Sequence, residues 1–309
     1  NLSLTDSGNK IFAVSPSAAN TTNTSTYYSV DPKYSAIYYT TNTNKGYSWS
    51  ATASVRRSFQ FGLDIYAAYT YSQRRSLYDA ASSSQANNWS RTYSVNSNSP
   101  ELAYSIYDTP HRLTAQVTYS KRYARLFGTT VSLVYQMYSG QRYSLCYGES
   151  SDLNGDLMTG NTLVYIPTKS DLEKMTFADA TSAERWNSFI ESDPYLRSHR
   201  GSFSERNALQ TPMEHRLDLH IAQDFYFGYK SGRKLQLSFD MVNFGNLLCR
   251  NWGAYYSVKN ARLQPVRVVS LTDDGRGNKT PVYQFTGTAI AKDDILSRWH
   301  MQLGIRVVF

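Results

Sequence analysis

The sequence predicts an all-β fold, an antiparallel transmembrane β-barrel segment with long loops, and three observations carry the prediction. Seven stretches alternate apolar and polar residues over roughly the length needed to cross a membrane. The connections between them run short, long, short, long, short, long. No run of about 18 apolar residues exists to cross a bilayer as a helix. A mean hydropathy of −0.50 therefore excludes a helical membrane protein but not a barrel, whose strands average lipid-facing and lumen-facing residues.

The stretches follow in order. Residues 47–59 place Trp49, Ala51, Ala53 and Val55 on one face, and residues 63–73 place Ile65, Tyr69 and Tyr71. Residues 111–122 set Leu113, Ala115, Val117 and Tyr119 against Arg112, Thr114, Gln116 and Thr118. Residues 129–142 set Val131, Leu133, Tyr135 and Met137 against Thr130, Ser132, Gln136 and Tyr138. Residues 215–227 carry Leu217, Leu219, Ile221, Phe225 and Phe227 opposite Arg216, Asp218, His220 and Asp224. Residues 234–244 carry Leu235, Leu237, Phe239 and Met241, and residues 297–309 alternate from Trp299 to Phe309. Each approaches the roughly 9–11 residues of a tilted membrane-crossing strand. The apolar stripes tend to end in aromatics, as interfacial girdles require.

Short turns fall near 59–63, 122–128 and 228–233, and long loops at 74–110, 143–214 and 245–296. A barrel with short periplasmic turns and long extracellular loops has this asymmetry, which would leave the C-terminus periplasmic. A soluble β-sandwich also alternates, but gives no reason for polar inward faces, loop asymmetry and a terminal aromatic together. Bacterial barrels have an even number of strands, at least eight. Residues 1–46 offer one weak further candidate, SLTDSGNKIFAV, so the chain reads as about seven or eight strands, one arc of a larger barrel. It shows no signal peptide and is expected to be part of a longer polypeptide.

The net charge of +8 is spread along the chain, with no basic helix or nucleic-acid motif, so no nucleic-acid partner is expected. Cys146 and Cys249 are compatible with a disulfide or two free thiols. In SDLNGDLMTGN, Asp152, Asn154 and Asp156 have the alternating oxygen-ligand spacing of a calcium loop. Leu157 stands where an EF-hand turn needs glycine, and an Asx-rich turn explains the stretch equally. TSAERWNSFIESDP predicts a short helix with Thr181 and Glu184 as a capping box, Trp186, Phe189 and Ile190 on one face, and Pro194 as its stop. Such a helix packs on its own loop or docks a partner.

His220, Asp240 and His300 fall on lumen faces with His215 nearby, where wet polar residues are the default and a zinc or acid–base site the sharper alternative. No phosphate loop, nucleophile elbow, HExxH or CxxC is present, and no enzyme is expected. Many of the 26 tyrosines suit strand faces, but Tyr104, Tyr107, Tyr143, Tyr147, Tyr255 and Tyr256 lie in or beside loops. Of these, Tyr143, Tyr147, Tyr255 and Tyr256 are candidates for contact with a substrate or partner; packing the loops together is the other reading.

QLGIRVVF (302–309), with Gln302, Gly304, Val307 and the final Phe309, resembles the C-terminal assembly signal of bacterial outer-membrane barrels. NTNKGYSWSA, NNWS, PELAYSIYDTPHRL, SDLNGDLMTGNTLVYIP, RGSFSERN, HRLDLHIAQD and FDMVNFGNLL occur in that order. Together they resemble the C-terminal third of TonB-dependent outer-membrane receptors of the Oar-like group, related to the SusC-like importers of Bacteroidota. The resemblance spans nearly the whole chain and implies a plugged barrel of about 22 strands, with the plug and N-terminal domains absent here. It implies a Gram-negative outer-membrane location and TonB-driven import of an oligosaccharide, peptide or metal chelate. The implied partners are outer-membrane lipid and lipopolysaccharide, the barrel-assembly machinery, TonB through the missing part, and a surface lipoprotein. A structural or adhesive barrel and a passive porin are the alternatives. No cofactor is implied beyond a structural calcium ion in the 151–161 loop.

Overall fold

The computed structural model describes residues 2–6, 9–13, 33, 40–79, 82–148, 153, 158–228, 232–273, 279–287 and 290–309. Seven long strands dominate: β1 (Tyr47–Ser58), β2 (Leu63–Ser76), β3 (His111–Tyr123), β4 (Phe127–Tyr138), β5 (Glu214–Tyr226), β6 (Lys234–Val242) and β7 (His300–Val308). They pair antiparallel in chain order as one meander.

The register explains why alternation was so legible. Ile65 faces Val117, Val117 faces Leu133, Leu133 faces Leu219, Leu219 faces Met241, and Met241 faces Met301. A continuous apolar row thus crosses six strands on one side. One residue along, Asp64, Thr118, Ser132, His220, Asp240 and Gln302 form a polar row on the other. The period of two puts every odd-numbered partner on the same face, so a slip by one residue would invert the whole sheet. The apolar face stays exposed: Leu303 and Ile305 are each 77% accessible. A sheet in water would bury such a row; a lipid-facing one has no need to.

Aromatic rings mark both ends of that face. Near the long loops, Trp49 meets Tyr71 at 5.3 Å, and the Tyr69 and Tyr135 hydroxyls are each 2.7 Å from the Nδ1 of His111 and His215. Near the short turns, Phe127 lies 5.9 Å from Tyr123 and 5.8 Å from Phe225. From His215 to Phe225 the strand rises roughly 33 Å, and a tilt near 40° projects this to about 25 Å, the height of a barrel's apolar band.

The turns are tight. Gly62 sits at φ +98° with Ser120 O only 2.1 Å from where a Cβ would be, so the β1–β2 turn admits no side chain there. Between β3 and β4 the hairpin turn is the three residues Ala124, Arg125 and Leu126, the first two at positive φ, within the stretch expected at 122–128.

The long loops carry regular structure of their own beyond the expected helix. A five-stranded mixed sheet orders Thr176–Phe177, Lys279–Phe285, Arg262–Asp273, Arg142–Tyr147 and Leu209–Gln210. Arg142–Tyr147 runs parallel to Arg262–Asp273, so the second and third loops are woven together. The stretch read as 129–142 accordingly ends at Tyr138, and Arg142 begins a strand of this cap. The hydrophobic core lies in the cap and not in the wall: Leu145, Ile166, Trp186, Ile190, Leu196 and Val266 are each at most 1% exposed. Gly140 lets the chain pass from wall to cap, because a Cβ there would come within 2.3 Å of Thr211 O.

Other local expectations change as well. The expected helix spans Ser182–Ser192, but Thr181 makes no side-chain cap; the Asp179 carboxylate accepts from the Thr181 and Ser182 N–H groups instead. A carboxylate two residues upstream reaches the orphan donors better than the hydroxyl. Pro194 opens a second helix, Pro194–Ser198, at its N1 position. Cys146 lies inside a cap strand, and both cysteines are free thiols. Leu2–Asp6 and Asn9–Ala13 pair with each other as a hairpin and add no strand to the wall. Among the described residues, no helix is long and apolar enough to cross a membrane.

Candidate functional site

The three long loops meet at one end of the wall, and two of the sequence motifs converge there. Arg142, leaving β4, is 7% exposed and forks onto Asp108, itself 1% exposed, with Nε and Nη2 at 2.8 and 2.7 Å from Oδ2. Its guanidinium lies 3.7 Å from the Tyr104 ring, and Nη1 donates to Asn207 O at 3.1 Å. Asp108 Oδ1 accepts the Arg74 backbone N–H at 2.7 Å, tying the clamp to β2. Asn207 then donates to Asp79 Oδ2 and Tyr104 O, each at 2.9 Å, and accepts from Ser144 at 3.0 Å. PELAYSIYDTPHRL and RGSFSERN thus supply the two sides of a buried clamp that fixes cap to wall.

Two cavities flank the clamp. The lower, about 510 Å³, opens on the polar face of β1–β4, between Ser50, Ser72, Arg74, Arg112 and Gln136, under Tyr107. The upper, about 520 Å³, lies among the loops, lined by Asp79, Asn87, Arg91, Arg206, Asn260 and Arg262 with Tyr107 at its edge. Tyr107 is 60% exposed and borders both.

The residues singled out from sequence have varied placements. Tyr143 and Tyr147 are 4% and 3% exposed, packed in the cap core, which leaves them no surface for a ligand. Burial pushes the Tyr143 hydroxyl up to about 12, an environment that keeps it neutral. Tyr255 and Tyr256 are half-buried, with the Tyr255 N–H bonded to Ser297 Oγ at 2.9 Å. Burial also raises the Tyr255 hydroxyl. Asp152, Asn154 and Asp156 lie outside the described residues. Among the described residues no cluster of three metal-ligating side chains occurs. His220 meets Asp240 at 2.5 Å, while His300 faces Val242 and His215 lies on the apolar face beside Tyr135. The four residues therefore do not converge.

Gln302, Gly304 and Val307 lie in β7, an edge of the sheet, with Gln302 facing Asp240 and Gly304 facing Ser238. Phe309 follows them, 96% exposed. Sequence reasoning missed Asp79, Arg91, Arg206, Asn260 and Arg262. Of the motifs in the sequence, NNWS and RGSFSERN border this cavity, through Asn87 and Arg206.

A meander with an exposed apolar face, a polar reverse face, two aromatic bands and a folded cap at one end is the wall of a membrane-spanning β-barrel. Residues 1–251 match the family described as outer membrane beta barrel domain, and the chain belongs to that family. Its place is the bacterial outer membrane. No curated protein and no solved structure matches the chain.

Proposed function

We propose that this chain forms part of the barrel wall and the surface cap of a TonB-dependent outer-membrane importer for a nutrient too large or scarce for simple porins. The observation that carries the reading is the pair of cavities sharing Tyr107, which line up a surface pocket with the polar face of the wall. A ligand held among the loops would have a second polar site directly beneath. The clamp at Arg142–Asp108 keeps both in register, as a rigid wall against which a plug moves requires. β1 and β7 are open edges among the described residues, and in lipid their unpaired backbone groups need partners. We assign these to further strands of the same barrel, with the plug and TonB contact elsewhere in the protein.

In this reading the cap is extracellular and the short turns and Phe309 are periplasmic. The β7 edge is presented to the assembly machinery by strand addition. The protein binds and passes its substrate without covalent chemistry. The apolar face contacts lipid, and the loop-end aromatics contact lipopolysaccharide.

Energised uptake is the test. Cells expressing the full-length protein should accumulate its substrate only with an intact proton gradient and TonB. Accumulation that survives loss of either would make the barrel a passive porin. Surface binding to cells or matrix with no uptake would favour the adhesive reading.

A further inference from the structure

We propose that the root of the third long loop is a membrane foot, folded against the outside of the wall and inserted among the acyl chains of the outer leaflet. This rests on the membrane placement of the wall and not on the import reading.

Two rigid turns build an apolar surface there. After β6 the chain forms the helix Phe244–Leu248 and a turn closed by the Trp252 N–H on Cys249 O at 2.9 Å. Asn246 Nδ2 braces it from inside, donating to Arg250 O and Trp252 O at 3.0 and 2.9 Å. Ahead of β7 a second turn is held by Asp293, whose Oδ1 accepts the Ile295 and Leu296 N–H groups, each at 2.9 Å. The buried Asn243 ties the two turns together, its Nδ2 donating to Gly253 O and Ser297 O at 2.9 Å, and Lys292 Nζ reaches Arg250 O at 3.1 Å. The backbone so fixed holds large apolar side chains outward. Ile295 is 79% exposed, Leu248 and Leu296 are 61%, Trp252 is 57%, and Leu247 and Trp299 are exposed as well. The same loops bury Trp186 and Ile190 in the cap core, so a surface of this kind marks an interface.

Its position says which interface. A Cβ on Gly245 would lie 3.8 Å from the Leu217 Cβ and 3.6 Å from the Trp252 Cβ, so the helix and Trp252 stack over β5 at Leu217. Leu217 is two residues from Leu219 in the apolar row, hence on the lipid-facing side. The helix therefore leans on the outside of the wall and not over its lumen. Leu217 stands two residues below His215, where the apolar band begins, which at a tilt near 40° is about 5 Å of depth. Segments that lie in a membrane surface bury their apolar side by about 5–10 Å. The patch also continues along the chain into the lipid face of β7, from Trp299 to Met301. Strands that complete the barrel would pair with the β7 edge and extend the sheet sideways, leaving its outer face uncovered. Acyl chains are what that face meets.

The test is spin labelling of the full-length protein in phospholipid vesicles. A nitroxide is attached at Ile295→Cys and, separately, at Leu248→Cys, each in a Cys249→Ser background; Cys146 is buried and stays unlabelled. Leu303→Cys on the lipid face and Glu173→Cys on an exposed cap helix are the references. Power saturation then compares collisions with oxygen, which concentrates in hydrocarbon, and with a water-soluble nickel chelate. Oxygen should exceed nickel at both foot positions, as at Leu303→Cys, with the opposite order at Glu173→Cys. Nickel in excess at either foot position would place the foot in water and overturn the proposal. Few collisions with both reagents would mean that protein covers it, from a second copy or a partner, and would overturn it equally. Without labels, acyl-brominated lipid should quench the tryptophan emission, and Trp252→Phe should lose part of that quenching; a variant quenched as fully as the parent would contradict insertion. Unchanged gel mobility of the unheated barrel verifies the folding of each variant.

Discussion

Removing the Asp108 carboxylate tests most directly what holds the cap on the wall. Asp108→Ala deletes two charge-assisted bonds to Arg142 and the acceptor of the Arg74 N–H, all at 2.7–2.8 Å. Arg142 would be left 7% exposed with only carbonyls and the Tyr104 ring as partners. Breaking a buried pair from one side costs about 3–5 kcal/mol. Replacing both ends with apolar groups of similar volume costs much less. The expected change in the equilibrium for cap opening is therefore a factor of roughly 10² to several 10³.

Hydrogen–deuterium exchange of the detergent-solubilised protein would read this out. Peptides covering 100–110 and 204–210 should lose protection by that factor, while β3 and β4 keep theirs. Asp108→Leu combined with Arg142→Met should restore most of it. A change below about threefold in the single mutant, which is under 1 kcal/mol, would refute the clamp. A double mutant as labile as the single one would show that the charge pair is not what binds cap to wall.

Trp186→Ala, at a position 1% exposed in the cap core, should cost about 3–5 kcal/mol. It should lower the melting transition of the cap without changing the heat-dependent gel mobility of the barrel. Leu133→Arg, on the apolar face at mid-strand, should destabilise folding into vesicles by about 2–4 kcal/mol, whereas Gln116→Arg on the polar face should not. A native maleimide reaction should label half-buried Cys249 and spare Cys146, which is fully buried with its thiol pushed up by burial, until the cap is unfolded. The Asp179 carboxyl is lowered by hydrogen bonds from Ser182 and Thr181. At Asp171 burial raises the carboxyl, but bonds from Thr168 and Tyr165 outweigh it and the net shift is downward. Both groups stabilise the fold above the ordinary value of 3.8, and that stabilisation is lost as pH falls through their lower folded values. Amide protection of the helices Lys169–Lys174 and Ser182–Ser192 should drop only under such acid; a loss beginning near pH 6 would contradict it.

The wall was legible because its information is local. A period of two, carried by residues such as Leu113, Ala115 and Val117, specifies both the strand and its lipid-facing side, and short turns then force antiparallel neighbours. The observed ends move by a few residues, most at 129–142, where Gly140 diverts the chain into the cap. The cap was not legible. Arg262–Asp273 pairs with its chain neighbour Lys279–Phe285 on one side, yet its pairing with Arg142–Tyr147 on the other joins segments more than a hundred residues apart, and no short-range pattern encodes that.

The candidate site divides in the same way. Tyr107 was visible as a loop aromatic, but an exposed ring and a buried one such as Tyr143 look alike in sequence. Arg91, Arg206 and Arg262 come from three different loops, each unremarkable in its own segment. By itself the sequence determined the membrane-facing alternation, the aromatic bands and the order of strands, since these follow from side-chain spacing along one strand. Only the tertiary structure decided which charges meet, because a guanidinium acquires its partner, or lacks one, through chain segments that sequence distance keeps apart.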